Sequence, residues 1–287
     1  IMRIGVGLPN PDPSCPGYLL PRWAMAAEER GFTTLATIDR VAFPNHDSLI
    51  ALAAAAAVTD SIELLPNILL VPTRDPVLLA KETATLASIS RGRLTLGVGV
   101  GGRRDDYAVI GVDFGNRGRR LDAMLETMTK AWRSEPVEGS TEPVVPPVPG
   151  GSVPLLIGGT SDASVRRTIK YGTGWTSGGA PVDRAAPFAQ RVREAWREAG
   201  KDGEPRFAAL AYFSLGDEVE SASYQYMRHY FWYHAASTEM IAASPLRLAG
   251  TITDAVAAFA DAGFDDLILD PTVADISQVD RLAGVAA

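Results

Sequence analysis

Glycines concentrate at three points where an apolar run ends, and their spacing suggests a binding chemistry. They are Gly97–Gly102 after Leu94–Leu96, Gly158 and Gly159 after Pro154–Ile157, and Gly178-Gly179 after Trp175–Ser177. Glycine leaves the main chain bare, so a flat ligand can approach it closely, and free N–H groups at a helix start bind anions. The pattern predicts a site for a planar, phosphate-bearing group. Tight turns without a ligand, and simple helix capping by Thr160 or Ser161, remain open as alternatives.

The first glycine cluster also has the spacing of a dinucleotide-binding loop. Gly97, Gly99 and Gly102 match GxGxxG, the pattern that holds a pyrophosphate between a strand and a helix. The cluster, however, follows the fourth predicted strand and is followed by the charged run Arg103–Asp106. Asp122, the acid at about the right distance, falls inside a predicted helix. The context therefore argues against a Rossmann domain.

Other candidate catalytic groups are few. Asp39 ends the second predicted strand, a position that faces the active site in barrel enzymes, although the sequence alone slightly favours a salt bridge or a loop cap. The three histidines have no metal-ligand spacing, and neither HExxH nor GxSxG occurs. Both a zinc hydrolase and a serine hydrolase are therefore disfavoured. A barrel aldolase would need a lysine at a strand end, and all four lysines fall in predicted helices or loops: Lys81, Lys130, Lys170 and Lys201.

Two further segments suggest surfaces. Tyr224–Tyr233 is rich in aromatic residues, which suits the wall and lid of a site for a planar or apolar substrate; some of these rings are expected simply to pack. Ala53–Ala57 gives a helix a flat face, which suits close packing at a dimer seam or onto the same chain.

Composition limits the class of protein. A hydrophobic fraction of 46% in 287 residues is enough for a sizeable globular core. A net charge of −7 disfavours nucleic acid as a partner. No apolar run is long enough to span a membrane, and Met2–Gly7 does not resemble an export signal. One cysteine, Cys15, excludes a disulfide framework. We therefore expect a cytoplasmic protein with no membrane association.

Strand-like and helix-like runs alternate along the whole sequence. This alternation predicts a parallel sheet, and about eight units in fewer than 300 residues favour a closed (β/α)8 TIM barrel over a doubly wound open sheet. We expect one domain over residues 1–287, with a helical excursion over Glu218–Ser244 after the seventh strand. The predicted strands are Arg3–Leu8, Thr33–Ile38, Ile62–Leu70, Leu94–Val98, Val153–Ile157, Gly174–Ser177, Phe207–Phe213 and Leu267–Asp270.

Several segments resemble the bacterial luciferase-like family of flavin- or F420-dependent oxidoreductases. The most specific stretch runs from Arg74-Asp75-Pro76 to the Ser90-Arg91-Gly92-Arg93-Leu94 segment and Gly99. Gly111–Phe114, Arg117–Arg120, Pro154–Gly159 and Lys170–Trp175 also fit. The resemblance implies a (β/α)8 barrel with FMN or F420 at its C-terminal mouth, often as a homodimer packed through the second and third helices.

The resemblance also implies particular site residues. Asn67-Ile68 match a position where many members hold a non-prolyl cis peptide behind the cofactor ring. Val100 and Gly101 match contacts after the fourth strand. Gly158, Gly159 and Thr160 match the phosphate loop, and Ser177 and Gly178 match its neighbour. Two departures stand out: Asp39-Arg40 occupies the place where several members carry a histidine, and Val100 offers no polar side chain.

From these observations we expect an oxidoreductase or monooxygenase that acts on a small organic molecule, with Asp39 near the reactive face. Arg103 and Arg104 favour F420 slightly, since they are able to pair with its anionic tail. With FMN and oxygen, a separate reductase partner is expected. A non-catalytic flavin-binding barrel is the alternative.

Overall fold

A computed structural model describes residues 2–286 of the chain as one parallel sheet surrounded by helices. The sheet has nine strands in the order β3-β2-β1-β9-β8-β7-β6-β5-β4, and every pairing is parallel. The strands are β1 Arg3–Gly7, β2 Thr34–Thr37, β3 Glu63–Pro66, β4 Leu69–Leu70, β5 Leu96–Gly99, β6 Leu155–Gly158, β7 Gly174–Thr176, β8 Arg206–Phe213 and β9 Asp266–Pro271.

The sheet closes because β3 and β4 are two halves of one barrel strand. The peptide bond between Asn67 and Ile68, which separates them, is cis. β3 pairs with β2, and β4 pairs with β5. The lower half also reaches the β5 side, since the Leu64 amide donates to Arg93 O at 2.9 Å and the Thr95 amide donates to Leu64 O at 3.0 Å. Eight barrel strands result, which confirms the predicted (β/α)8 architecture.

Helices follow the strands. The side chains of Asp47 and Asp75 accept hydrogen bonds from the first-turn amides of the helices that follow them, which is the usual role of an N-cap acid. Short α4 was not predicted. The helices are α1 Leu19–Glu29, α2 Ser48–Ala56, α3 Pro76–Ile89, α4 Arg104–Ala108, α5 Arg117–Trp132, α6 Asp162–Tyr171, α7 Val182–Glu198, α8 Glu220–Tyr230, α9 Thr238–Ala242, α10 Ala249–Asp261 and α11 Ser277–Ala286.

The two ends of the barrel interior differ in chemistry. At the N-terminal end, the Arg206 guanidinium bridges Glu63 and Asp266 at 2.6 and 2.7 Å, and Arg3 joins both carboxylates. Above this network the interior is apolar, built from one inward-facing set that includes Leu65, Leu156 and Ile268. Outward-facing strand residues pack with the helices in a larger, separate core. Stabilising charges thus lie at the end of the barrel opposite the glycine-rich strand exits.

A helical segment follows β8 and lies over the C-terminal mouth. It consists of α8, a 3₁₀ segment over Trp232–Ser237, and α9. Tyr226, Met227 and Tyr230 of α8 are buried in the same apolar cluster as the barrel interior. The part of the chain described here contains no helix both long and apolar enough to cross a bilayer.

Candidate functional site

Glycines occupy the interior side of three strand ends at the C-terminal mouth, Gly7, Gly99 and Gly158; a fourth, Gly178, lies two residues beyond β7. They follow the alternation that points Leu156 and Ile268 inward. A Cβ at Gly99 would lie only 2.6 Å from Ile68 Cδ1, and one at Gly97 would collide with the Pro66 carbonyl. The fourth-strand glycines are therefore needed for close packing against the third barrel strand. A Cβ at Gly178 would meet no heavy atom within 4 Å, so this strand exit borders open space.

Asn67 and Ile68 lie at the centre of this glycine-lined end. The Thr176 hydroxyl donates to Asn67 Oδ1 at 2.8 Å, and the Gly178 amide donates to Thr176 Oγ1 at 3.3 Å. The Asn67 Nδ2 group is buried without a hydrogen-bond partner. The Ile68 side chain lies between Gly99 and Gly158. The structure therefore brings Asn67, Ile68, Gly158 and Gly178 together, with one buried amide donor that has no partner within residues 2–286.

The predicted phosphate loop leads directly into α6. Gly159 has a φ of +97°, and its carbonyl accepts the Trp175 indole N–H at 2.8 Å, which fixes the turn. Ser161 is the N-cap, and its hydroxyl accepts the Ser164 amide at 3.2 Å. Thr160 is exposed. The loop thus combines bare main chain with the N–H groups of the first helical turn, which suits a phosphate.

Three further predicted contact residues, Val100, Gly101 and Ser177, follow the strands on either side of β6. Val100 is half-buried, and its carbonyl accepts the hydroxyl of Tyr107. Gly101 has a φ of +65° and packs against Leu70. The Ser177 amide donates to Ala208 O, and its hydroxyl donates to Gly178 O at 3.1 Å. These residues border the mouth through main-chain groups more than through side chains.

Asp39 is held within the protein. Its side chain is 1% exposed, and its oxygens accept the Leu70 amide at 2.9 Å and the Arg74 guanidinium at 3.0 Å. Burial raises the pKa of Asp39, and the positive charge of Arg74 opposes that rise. Arg74 also binds Asp47, the N-cap of α2. Asp39 therefore links β4, α2 and the segment before α3.

The charge argument for F420 was wrong for Arg103. This side chain is buried: it binds Asp105, donates to the Tyr230 carbonyl at 3.0 Å and lies over the Tyr233 ring at 4.0 Å. Its charge is paired with Asp105, and its contacts with Tyr230 and Tyr233 hold α8 and the segment after α8 in place. Arg104 is exposed and packs over Phe114 at 4.7 Å.

Sequence reasoning missed Asp270, and it included Tyr226 only as one member of the aromatic segment Tyr224–Tyr233. Asp270 lies in β9, is fully buried, and neither carboxyl oxygen has a hydrogen-bond partner. Burial raises the pKa of Asp270 well above its usual range. The Tyr226 hydroxyl in α8 is also buried without a partner. The rule that selected Asp39, a carboxylate ending a barrel strand, applies equally to Asp270.

Within residues 2–286, no three His, Cys, Asp or Glu side chains are grouped as metal ligands. The constellation at the mouth is instead made of glycines, hydroxyls, one amide and one carboxyl. This donor set suits an organic ligand with a phosphate better than a metal ion.

Comparisons with known proteins agree with this geometry. The family model for luciferase-like monooxygenases matches residues 17–269. An uncharacterized protein of Mycobacterium tuberculosis is 29% identical over 206 residues, which cover 62% of this chain and 71% of that protein.

Two solved structures share the fold over nearly the whole chain. An F420-dependent secondary alcohol dehydrogenase, in complex with an F420-acetone adduct, has a TM-score of 0.80 and 18% identity, with 99% of this chain and 98% of the other covered. The oxygenating constituent of 3,6-diketocamphane monooxygenase from Pseudomonas putida, in complex with FMN, has a TM-score of 0.79 and 17% identity, with 100% and 98% covered.

Proposed function

The chain belongs to the luciferase-like monooxygenase family, and from that premise we propose that it is an oxidoreductase that uses FMN or F420 to transform a small organic substrate. The observation that carries this proposal is the mouth of the barrel. Gly158 and Gly178 leave main chain bare beside the N-terminus of α6, where a phosphate-tethered ring fits.

In this proposal, different residues hold the phosphate and the ring of the cofactor. Gly158, Gly159 and Thr160, with the first-turn N–H groups of α6, bind the phosphate. Ser177 and Gly178 border it from the neighbouring strand. In the core of the mouth, Asn67 and Ile68 would support the ring, and the Asn67 amide, which has no partner within residues 2–286, would supply a hydrogen-bond donor to it. Val100 and Gly101 contact it after the fourth strand.

The cofactor supplies either two-electron hydride transfer or, as reduced FMN, activation of oxygen. The protein binds and orients the substrate and excludes water from it. Asp39 contributes as a positioning residue, since it holds the Leu70 amide and Arg74 in place. The aromatic residues of Tyr224–Tyr233 form the substrate wall and cover. We place the enzyme in the cytoplasm, served by a reductase if FMN is used.

The choice between FMN and F420 remains open in this proposal. Arg103 is occupied by Asp105 and the Tyr230 carbonyl, so it gives no preference for the longer anionic tail of F420. The family likeness supports both cofactors.

The deciding experiment is equilibrium binding of FMN and of F420 to the purified chain, followed by absorption spectroscopy. We expect saturable binding of one cofactor with a perturbed ring spectrum. Failure of both to bind would contradict the proposal. Tight binding without turnover of any substrate would instead favour a flavin-binding barrel.

We also propose that the chain forms a homodimer through α2 and α3. Ile50 and Leu78 are 73% and 60% exposed, and Ile89 is 48% exposed. All three line one groove between these helices, together with Ala53. Large apolar side chains gathered in one exposed groove are typical of an interface.

A further inference from the structure

Besides Asn67, other polar side chains at the barrel mouth have buried atoms without hydrogen-bond partners in residues 2–286, and two of these lie on β9 and α8. They are Asp270, through both carboxyl oxygens, and Tyr226, through its hydroxyl. Buried polar groups in folded proteins nearly always have a partner, so an exception needs an explanation. At a mouth that faces a ligand site, the simplest explanation is that the ligand provides the partner.

The Asp270 side chain lies against Gly7 of β1, the strand next to β9. A Cβ at Gly7 would overlap its Oδ1 atom, so glycine on β1 is what gives the carboxyl its space. Gly7 and Asp270 therefore lie side by side on two adjacent strands. In the residues just before them, Val6 of β1 pairs with Leu269 of β9 in parallel register.

The surroundings of Asp270 and Tyr226 are aromatic. The Ser223 hydroxyl of α8 lies 2.7 Å from the Thr272 hydroxyl, so α8, which also carries Tyr226, packs against the end of β9 that carries Asp270. Burial raises the pKa of Tyr212, Tyr226 and Tyr230. Arg40 lies over the Tyr230 ring at 5.4 Å; its Nε donates to Asp106 at 2.9 Å, whereas its buried Nη1 has no hydrogen-bond partner within residues 2–286.

We propose that Asp270 and Tyr226 form a hydrogen-bonding pair that binds the carbonyl or hydroxyl oxygen of an uncharged, largely apolar substrate. This inference rests on the proposed function and deepens it by naming the substrate class. Asp270 is a neutral carboxylic acid in this arrangement, so it and Tyr226 each offer an O–H donor to the same oxygen.

The surroundings of the pair favour an uncharged substrate. The charge of Arg40 is already balanced by Asp106 at 2.9 Å, so an anionic substrate would gain little from it. The apolar neighbours Ile38 and Leu210, and the ring of Phe231 at 5.7 Å from Tyr212, suit a hydrocarbon or aromatic body. One polar oxygen on such a body is enough to satisfy the pair.

The first test measures the protonation of Asp270 directly. Aspartate labelled with carbon-13 at the carboxyl gives one resonance per residue, and the Asp270→Asn variant identifies the resonance of Asp270. We expect it at the position of a protonated acid at pH 7. A resonance at the position of a carboxylate would overturn the proposal.

The second test uses cyclohexanone as the probe, with whichever cofactor binds present at saturation. We expect Asp270→Leu and Tyr226→Phe each to weaken cyclohexanone binding at least fivefold, and Asp270→Asn, which keeps an N–H donor, to stay within twofold. The control variants Asp254→Asn and Tyr18→Phe change exposed residues of the same types and should bind like the parent. If Asp270→Leu does not fold, Tyr226→Phe and the carboxyl resonance still decide.

Three outcomes would overturn the pair. One is equal cyclohexanone affinity in Tyr226→Phe and the parent. Another is tighter binding of cyclohexylamine than of cyclohexanone, lost in Asp270→Asn, because Asp270 would then bind a cation. The third is a loss of cofactor affinity in these variants as large as the loss for cyclohexanone. Failure of the parent to bind FMN or F420 is a separate result, which contradicts the proposed function instead.

Discussion

At the scale of single residues, the candidate site depends on main-chain groups at strand ends more than on charged side chains. The loop Gly158–Thr160 leads into a helix whose cap, Ser161, is already satisfied by Ser164. The remaining first-turn N–H groups and the glycine main chain are then left to bind the ligand. A negative charge added to this loop should therefore weaken ligand binding while it slightly stabilises the fold.

A Thr160→Asp substitution tests this separation. Thr160 is exposed and precedes the N-cap of α6, so a carboxylate there stabilises the helix dipole by about 0.5 kcal/mol. The same charge repels a phosphate, and we expect cofactor affinity to fall at least tenfold. Thr160→Asn, which has nearly the same shape without the charge, is the matched control, measured by titration calorimetry and thermal melting. Equal affinity in the two variants would mean that the phosphate binds elsewhere.

Asp270 gives a pH-dependent prediction. Its pKa is raised by burial in the folded state, whereas in the unfolded chain it ionises near its ordinary value of about 4. Above that value the unfolded state releases a proton that the folded state keeps, so the folded state loses stability relative to an Asn variant as pH rises. We expect Asp270→Asn to gain up to about 1.4 kcal/mol per pH unit over the parent above pH ~4, until the folded pKa is reached.

Urea unfolding of the two proteins between pH 4.5 and 7.5 measures this difference. Free energies of unfolding that run parallel over that range would contradict a protonated Asp270.

At the scale of elements, the strand–helix alternation predicted the barrel well because both faces of each strand are buried, which produces continuous apolar runs. The break between β3 and β4 at Asn67-Ile68 was identified only through the family resemblance, since apolar residues flank it on both sides. Helix α4 was missed because Arg104–Ala108 is short and charged. The contacts of Arg103 with Tyr230 and Tyr233, and the burial of Asp270, were not predictable from sequence, because both depend on how α8 folds back over the mouth.

A second element-level feature is the attachment of α1 to the start of the third barrel strand. The Glu28 carboxylate accepts the amides of Asp60, Ser61 and Ile62 at 2.6–3.0 Å. Burial alone would raise the pKa of Glu28, but these hydrogen bonds outweigh it and lower the pKa to about 2.

Replacing Glu28 by Gln should therefore destabilise the fold at neutral pH, by about 1 kcal/mol since the site is largely exposed. Because the folded pKa lies below the ordinary value, this contribution is complete above pH ~4.5 and is lost as pH falls toward 2. Chemical denaturation of both proteins at pH 7 and pH 3 checks it, with Glu29→Gln, one residue along the same helix, as control. A difference that does not shrink at pH 3 would contradict the assignment to the carboxylate.

At the scale of the whole molecule, one surface groove between α2 and α3 gathers exposed apolar side chains, while the mouth of the barrel is covered by α8. In our proposals the groove serves dimer formation and the mouth serves catalysis. Each proposal can therefore be tested without disturbing the other surface.

The homodimer proposal predicts that Ile50→Asp combined with Leu78→Asp converts the protein to a monomer in sedimentation velocity. Both side chains are large, apolar and mostly exposed in the described chain, so their removal should not harm the core. Leu248→Asp, an equally exposed apolar residue at the start of α10, serves as the control and should keep the parent's mass. A parent protein that sediments as a monomer would contradict the proposal.

The division of the barrel into a charged lower end and a glycine-lined upper end has a practical consequence for engineering. The network of Arg3, Glu63, Arg206 and Asp266 lies far along the strands from Gly7, Gly158 and Asp270. Libraries that randomise side chains around the mouth would leave this anchoring network intact. New specificities should therefore be selectable in this scaffold with little need for compensating mutations elsewhere.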